Sequence, residues 1–109
     1  MKRIKIFVGE EEVFDFDSES FLSDEQLTYL DKMDIDMSNG IKLNGELIES
    51  PDGQTRTKFI VLNLVKALGQ DNQAIISSSC AYISHRNPAL REVKITKDDN
   101  FHIELVLEQ

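Results

Sequence analysis

Both ends of this 109-residue chain alternate apolar and polar side chains, which is the period of a β-strand with one buried face. Near the start, Ile4, Ile6 and Val8 share one side of such a strand. Near the end, one face collects four large apolar side chains: Phe101, Ile103, Leu105 and Leu107. Strand patterns at both ends, with helical patterns between them, predict one sheet packed against a layer of helices.

Each terminal strand is predicted to belong to a hairpin. After the first strand, Gly9 opens a turn into a second strand over residues 12–16. The last strand follows a strand over residues 91–96 and a turn over residues 97–100. The two hairpins are expected to form an antiparallel sheet. A third, shorter hairpin is predicted around Asn44-Gly45, which is a favoured two-residue turn.

Two helices are predicted from capping signals followed by apolar residues at helical spacing. Either Ser23 or Asp24 caps the first helix, which is expected to end near Met33. The second covers residues 50–68, with Ser50 as its cap and a proline in the first turn. Its apolar arc is wide, and this predicts the central helix of the core.

A third segment, residues 71–85, fits either a helix or a strand. Three consecutive serines are poor helix formers, but the apolar spacing favours a helix. The length, with 40% hydrophobic and 29% charged residues, indicates one globular domain over residues 1–109. The predicted fold class is therefore α+β, an antiparallel sheet packed against two or three helices.

Net negative charge is confined to the first half of the chain. Residues 1–50 hold 13 Asp and Glu against 5 Lys and Arg, and residues 51–109 hold 7 against 7. If folding brings these carboxylates together, they attract a basic partner and repel phosphate. The predicted partner-binding acidic face consists of seven residues: Glu10, Glu11, Glu12, Asp15, Asp17, Asp24 and Glu25.

These features favour a small, non-enzymatic interaction domain that binds a basic protein surface. Direct binding to nucleic acid is disfavoured by the net charge of −8. An inhibitor that imitates the charge of DNA remains an alternative. A single cysteine and no apolar stretch long enough to span a bilayer favour a cytoplasmic protein without membrane contact.

One short segment resembles the calcium loop of an EF-hand. Asp34, Asp36 and Ser38 match the first three ligand positions, and Glu46 could close the loop. The central glycine and the closing glutamate each fall one position late. A divalent-cation-responsive module over residues 34–46 is therefore an alternative function, while no metal or cofactor is assigned.

Catalysis has weaker support in the sequence. A nucleophile could come from Cys80 or the neighbouring serines, with His85 or His102 as base, but no recognisable nucleophile motif surrounds them. His102 and Glu104 are expected to be neighbours on the outer face of the last strand. An open sheet edge would permit a homodimer.

Overall fold

Three helices and six strands lie within residues 3–17 and 22–108, which are the residues that the computed structural model describes. The elements follow in this order: β1 Arg3–Val8, β2 Glu11–Asp17, α1 Asp24–Ser38, β3 Ile41–Leu43, β4 Glu46–Ile48, α2 Gly53–Gln70, α3 Gln73–Arg86, β5 Leu90–Lys97 and β6 Phe101–Leu107. The α+β class is confirmed. Within the described ranges, no helix is long and apolar enough to cross a membrane.

The main sheet has the strand order β2-β1-β5-β6 and is mixed. Each hairpin is antiparallel, but β1 and β5 run parallel, with Ile6 opposite Val93. The expectation of a purely antiparallel sheet was therefore wrong. The segment between the two hairpins returns the chain to the end of the sheet at which β2 finishes and β1 begins, so β5 runs in the same direction as β1.

One face of this sheet is buried and the other is exposed. Ile4 and Ile6 of β1 and Val93 and Ile95 of β5 are at most 1% exposed, whereas the residues between them face solvent. Side chains from all three helices belong to the same buried cluster. The helices therefore cover the inner face, and Lys5 and its neighbours form a helix-free outer face.

Helix α1 begins as predicted and ends later than predicted. The hydroxyl of Ser23 accepts a hydrogen bond from the backbone N–H of Gln26, whose side chain in turn accepts one from the N–H of Ser23. The expected end near Met33 was wrong, because the helix continues to Ser38. Met37 extends the apolar stripe by one turn and is buried, which favours the added turn.

The structure changes the predicted cap of α2 and shows that residues 73–86 form a helix, α3. Asp52, and not Ser50, caps α2: its carboxylate accepts a hydrogen bond of 2.8 Å from the N–H of Thr55. Ser50 instead has a positive φ of 51°, outside the helix. The preference for helix over strand in residues 71–85 is confirmed by α3, which is capped by Asn72.

The hairpin of β3 and β4 forms around Asn44 and Gly45, which both have positive φ, as a tight turn requires. The Asn44 side chain also reaches another element. Its Nδ2 donates to the carbonyl of Phe101, and its Oδ1 accepts from the N–H of Phe101, both at 2.9 Å. The small hairpin is therefore attached to the start of β6.

Candidate functional site

Three of the seven predicted acidic-face residues lie on the outer face of the sheet beside basic side chains. Arg3 forms ion pairs with Asp17 at 2.6 Å and with Asp15 at 3.1 Å. Lys5 lies 3.7 Å from Glu12. The hydrogen bond from Arg3 holds the pKa of Asp15 below its usual range. Two positive charges of β1 therefore lie beside three of the four acids of β2.

The other four predicted residues are exposed at two different places. Glu10 lies in the turn between β1 and β2, and Glu11 is the first residue of β2. Asp24 and Glu25 form the first turn of α1, where their charge suits the positive end of the helix dipole. At about 3.3 Å per strand residue, Glu11 lies about 20 Å from the far end of β2. The seven carboxylates are distributed over three parts of the molecule.

A carboxylate that the acidic face did not include joins the three helices. Asp34 Oδ1 on α1 accepts hydrogen bonds from the Tyr82 hydroxyl at 2.5 Å and from Arg56 at 3.2 Å. Its Oδ2 accepts from Nε of Arg86 at 3.1 Å and lies 3.0 Å from a terminal nitrogen of the same guanidinium. Two arginines and one tyrosine thus surround a single acid.

Further contacts hold the two arginines in place. Arg86 also binds Asp31 at 2.9 Å, and its guanidinium lies 5.8 Å from the centre of the Tyr82 ring. Arg56 donates to the Ser38 hydroxyl and to the carbonyl of Pro51, both at 2.9 Å. We call Asp31, Asp34, Arg56, Tyr82 and Arg86 the helix clamp. With two acids and two bases it is electrically neutral.

Ionisation in the helix clamp is set by partial burial and by these partners. Burial alone would raise the pKa of Asp34, but the hydrogen bond from Tyr82 and the charge of Arg86, together with bonds from both arginines, lower it below the usual value. Burial and the adjacent Asp34 carboxylate raise the pKa of Tyr82. Asp34 is therefore a structural anion and Tyr82 a neutral donor at ordinary pH.

The four residues of the calcium-loop hypothesis do not converge on one point. Asp34 and Ser38 lie one turn apart on the same side of α1 and both bind Arg56, whereas Asp36 between them points to another side. Asp34 faces the arginines, Asp36 is exposed, and Glu46 lies on β4. In the described part of the chain, no three His, Cys, Asp or Glu side chains are grouped so that they could hold a metal ion.

The candidate nucleophile Cys80 and the candidate base His85 lie on the same helix, α3, whereas the candidate base His102 lies on β6. Cys80 is half-buried on α3, and His85 Nδ1 lies 3.0 Å from a guanidinium nitrogen of Arg86. His102 is exposed on β6, and its Nε2 lies 3.2 Å from Asp98 Oδ1. Glu104 shares the outer face with His102, as expected, but the recorded contact of the imidazole is with Asp98.

The solvent-facing side of α1 combines carboxylates with two large apolar side chains. Tyr29 is 53% exposed and Ile35 is 65% exposed. We define the α1 outer face by Asp24, Glu25, Tyr29, Ile35 and Asp36, which occupy one arc of the helix opposite its buried stripe; the exposed Lys32 lies within the same arc. No ion pair within the described residues involves its three acids.

Two grooves flank the exposed Tyr29 ring. The first, of about 360 Å³, runs between α1 and α3, where Ala74 and Ser78 leave room beside the ring. The second, of about 390 Å³, continues past Met33 to Ile75, which is 41% exposed. The tyrosine thus stands between two concave, partly apolar surfaces of the helix layer.

Sequence reasoning missed the helix clamp and the apolar part of the α1 outer face. Arg86 binds two acids of α1 that are more than 50 residues away in the sequence, and no local pattern shows such a contact. One signal was present: Tyr82 and Arg86 are four residues apart and so share a face of α3, where a polar pair that is partly buried needs an anionic partner.

No protein-family model, curated protein or solved structure matches this chain.

Proposed function

We propose that this protein is a small cytoplasmic, non-enzymatic interaction module whose α1 outer face binds a basic, partly apolar partner surface. The observation that carries the proposal is the exposure of Tyr29 and Ile35 among carboxylates that have no recorded cationic partner on the described chain. Protein interfaces combine an aromatic or aliphatic anchor with a polar rim in this way.

The shape of the helix layer supports this choice of surface. A partner side chain can enter the groove on either side of Tyr29, so the ring can be enclosed on binding. Full desolvation of an aromatic side chain is what makes it an energetic anchor. The carboxylates of Asp24 and Glu25 at one end of the face, and of Asp36 at the other, orient the incoming cations.

The fixed position of α1 also supports its outer face as the binding surface. Ser23 fixes the start of α1, and the helix clamp fixes its last turns through Asp34. A face that is ordered before binding loses little conformational entropy when the partner arrives. The α1 outer face is therefore better suited to binding than the acids of β2, three of which are already paired with Arg3 or Lys5.

The test uses a synthetic amphipathic helix of lysines and leucines as the probe, with a scrambled peptide of the same composition beside it. Calorimetric titration at low salt is expected to show binding of the ordered peptide in preference to the scrambled one. Tyr29→Ala is expected to weaken this binding by about 2 kcal/mol, since the anchor is lost. Raising the salt concentration should weaken it further.

A matched pair of charge reversals separates the α1 outer face from simple net charge. Asp24→Lys with Glu25→Lys, and Glu10→Lys with Glu11→Lys, change the net charge equally at different places. The first pair should weaken binding about tenfold and the second less than about threefold, because screening limits the reach of exposed charges. Equal losses, or no preference for the ordered peptide, would contradict the proposal.

A further inference from the structure

Within the described residues, strand β6 has no neighbouring strand on one side of its backbone, because it is the last strand of the sheet. The direction of its hydrogen-bonding groups can be read from three contacts. The N–H and C=O of Phe101 both form hydrogen bonds with the Asn44 side chain and therefore point away from β5. Glu108 donates its N–H to the carbonyl of Ala89, towards the β5 side. The carbonyl of Ile95 accepts from Gly9, away from β6.

These directions alternate along an antiparallel strand. Phe101 therefore begins a series in which every second residue of β6 turns its N–H and C=O outward. Ile95 lies opposite Ile103 and turns its own backbone groups towards β1, which agrees with an outward Ile103. The outward residues after Phe101 are Ile103, Leu105 and Leu107, and each offers one donor and one acceptor at the edge of the sheet.

The two edges of the sheet differ in how they are protected. Edge strand β2 carries four acids and pairs with β1 through an irregular register between Ile6 and Phe7. Charges and irregularities of this kind discourage pairing with a further strand. Edge strand β6 has one charged residue, Glu104, between residues 103 and 107 and no proline. Its inner-face residue Leu107 is 50% exposed.

We propose that β6 pairs antiparallel with β6 of a second copy of this chain, with Leu105 opposite the partner's Leu105. The main sheets of two molecules then become one continuous sheet of eight strands. The arrangement is independent of the α1 outer face, since it uses the sheet edge and the backbone of β6. The strand that binds β6 is β6 of a second copy, because in this register the outward backbone groups of both strands form hydrogen bonds at the same time.

Asn44 selects this register. The Asn44 side chain already forms hydrogen bonds with the N–H and C=O of Phe101, so a second strand can pair only from Ile103 onward. With Leu105 at the centre, Ile103 lies opposite the partner's Leu107 and Leu107 opposite the partner's Ile103. Three pairs of outward residues then meet, each able to form two backbone hydrogen bonds. Registers centred on Ile103 or Glu104 would need the backbone of Phe101 to reach their full length.

The side chains favour the same register. A centre at Glu104 would place two like charges directly opposite each other, which is unfavourable between strands. With Leu105 at the centre, Glu104 instead faces the partner's Val106, and His102 faces the partner's Glu108. On the inner face, apolar side chains meet apolar side chains. The edge is thus complementary to itself about a two-fold axis.

Sedimentation of the full chain with substitutions at Val106 tests the proposal. The wild-type chain is expected to reach twice its 12.5 kDa mass as concentration rises. Val106→Glu places a carboxylate opposite the partner's Glu104 and should weaken the dimer about tenfold, as two like-charge pairs form. Val106→Lys should strengthen it by a similar factor. Thr96→Glu adds the same charge on the outer face of β5, one strand inside the edge, and should leave the dimer unchanged.

Circular dichroism of each variant establishes that the monomer is folded. If Val106→Glu fails to fold, the strengthening by Val106→Lys still tests the register. A wild-type chain that stays at 12.5 kDa up to about 1 mM overturns the proposal. A dimer that responds alike to Val106→Glu and Val106→Lys, or that Thr96→Glu disrupts equally, also overturns it.

Discussion

At the scale of single residues, Asp34 has the largest structural role among the acids. Its carboxylate is only 24% exposed and makes hydrogen bonds to side chains of α2 and α3. An arginine that loses its partner in a half-buried place retains the cost of its own desolvation. Removing Asp34 would leave Arg56 and Arg86 close together without the anion that separates their charges.

We expect Asp34→Asn to lower the free energy of unfolding at pH 7 by about 2 kcal/mol, the worth of charge-assisted hydrogen bonds. Urea denaturation followed by circular dichroism measures this change. Asp36→Asn, two residues along α1 and exposed, is the control and should have little effect. A loss for Asp36→Asn equal to that for Asp34→Asn would show that the effect arises from net charge and not from the helix clamp.

The same variant gives a pH dependence with a definite sign. The pKa of Asp34 is lower in the folded chain than its usual 3.8, so its stabilising effect is complete above pH 3.8. The effect disappears as pH falls through the folded-state pKa, where the carboxylate gains a proton. The stability gap between wild type and Asp34→Asn should therefore be constant near neutrality and close in acid. A gap that widened in acid would contradict this assignment.

At the scale of elements, α1 depends on its first turn. Ser23 and Gln26 satisfy each other's backbone N–H groups, which would otherwise lack partners at the helix start. We expect Ser23→Ala to cost about 1 kcal/mol of stability and Ser23→Asp to preserve it, since aspartate also caps helices. Thermal denaturation of the three proteins measures the difference. Equal losses from both substitutions would show that the hydroxyl itself, and not the cap, is needed.

The elements also show how far the sequence could be interpreted. Local patterns were sufficient for both terminal hairpins, for the turn at Asn44 and for the choice of helix in α3. The direction of β5 relative to β1 could not be predicted, because it depends on how the intervening helices pack and not on any local pattern. The cap of α2 is Asp52 and not the predicted Ser50, because Ser50 adopts a backbone angle incompatible with capping.

The candidate site was harder to predict than the fold. Composition shows that the first half of the sequence is acidic, but charge alone could not tell which acids would meet cations. Arg3 lies close to Asp15 and Asp17 only because the first hairpin pairs in its observed register. Arg86 reaches Asp34 across 52 residues of sequence. Such partnerships are tertiary, so they become visible only when the elements are assembled.

At the scale of the whole molecule, a net charge of −8 opposes folding through self-repulsion. Raising ionic strength from about 0.01 M to about 0.15 M shortens the screening length from about 30 Å to about 8 Å. We expect the melting temperature to rise by about 4 °C, which corresponds to about 1 kcal/mol for a domain of this size. Scanning calorimetry in sodium chloride measures the shift.

Glu10→Gln with Glu11→Gln provides the control for this salt effect. Both side chains are exposed near the turn of the first hairpin, and their removal reduces the excess negative charge. The rise of melting temperature with salt should be smaller in this variant. A wild-type protein that melts at a lower temperature in salt would show instead that its ion pairs outweigh the repulsion.

The parallel contact between β1 and β5 determines the order in which this molecule can be completed. Lys5 lies opposite Glu92, so the centre of the sheet joins segments 87 residues apart. Because β1 is synthesised before β5, the first hairpin has no strand beside β1 until β5 has been made. Helix formation can precede this step, because helical contacts are local. We therefore expect closure of the central strands to be a late event of folding, and we expect chains that end before residue 90 to expose the side of β1 that β5 covers.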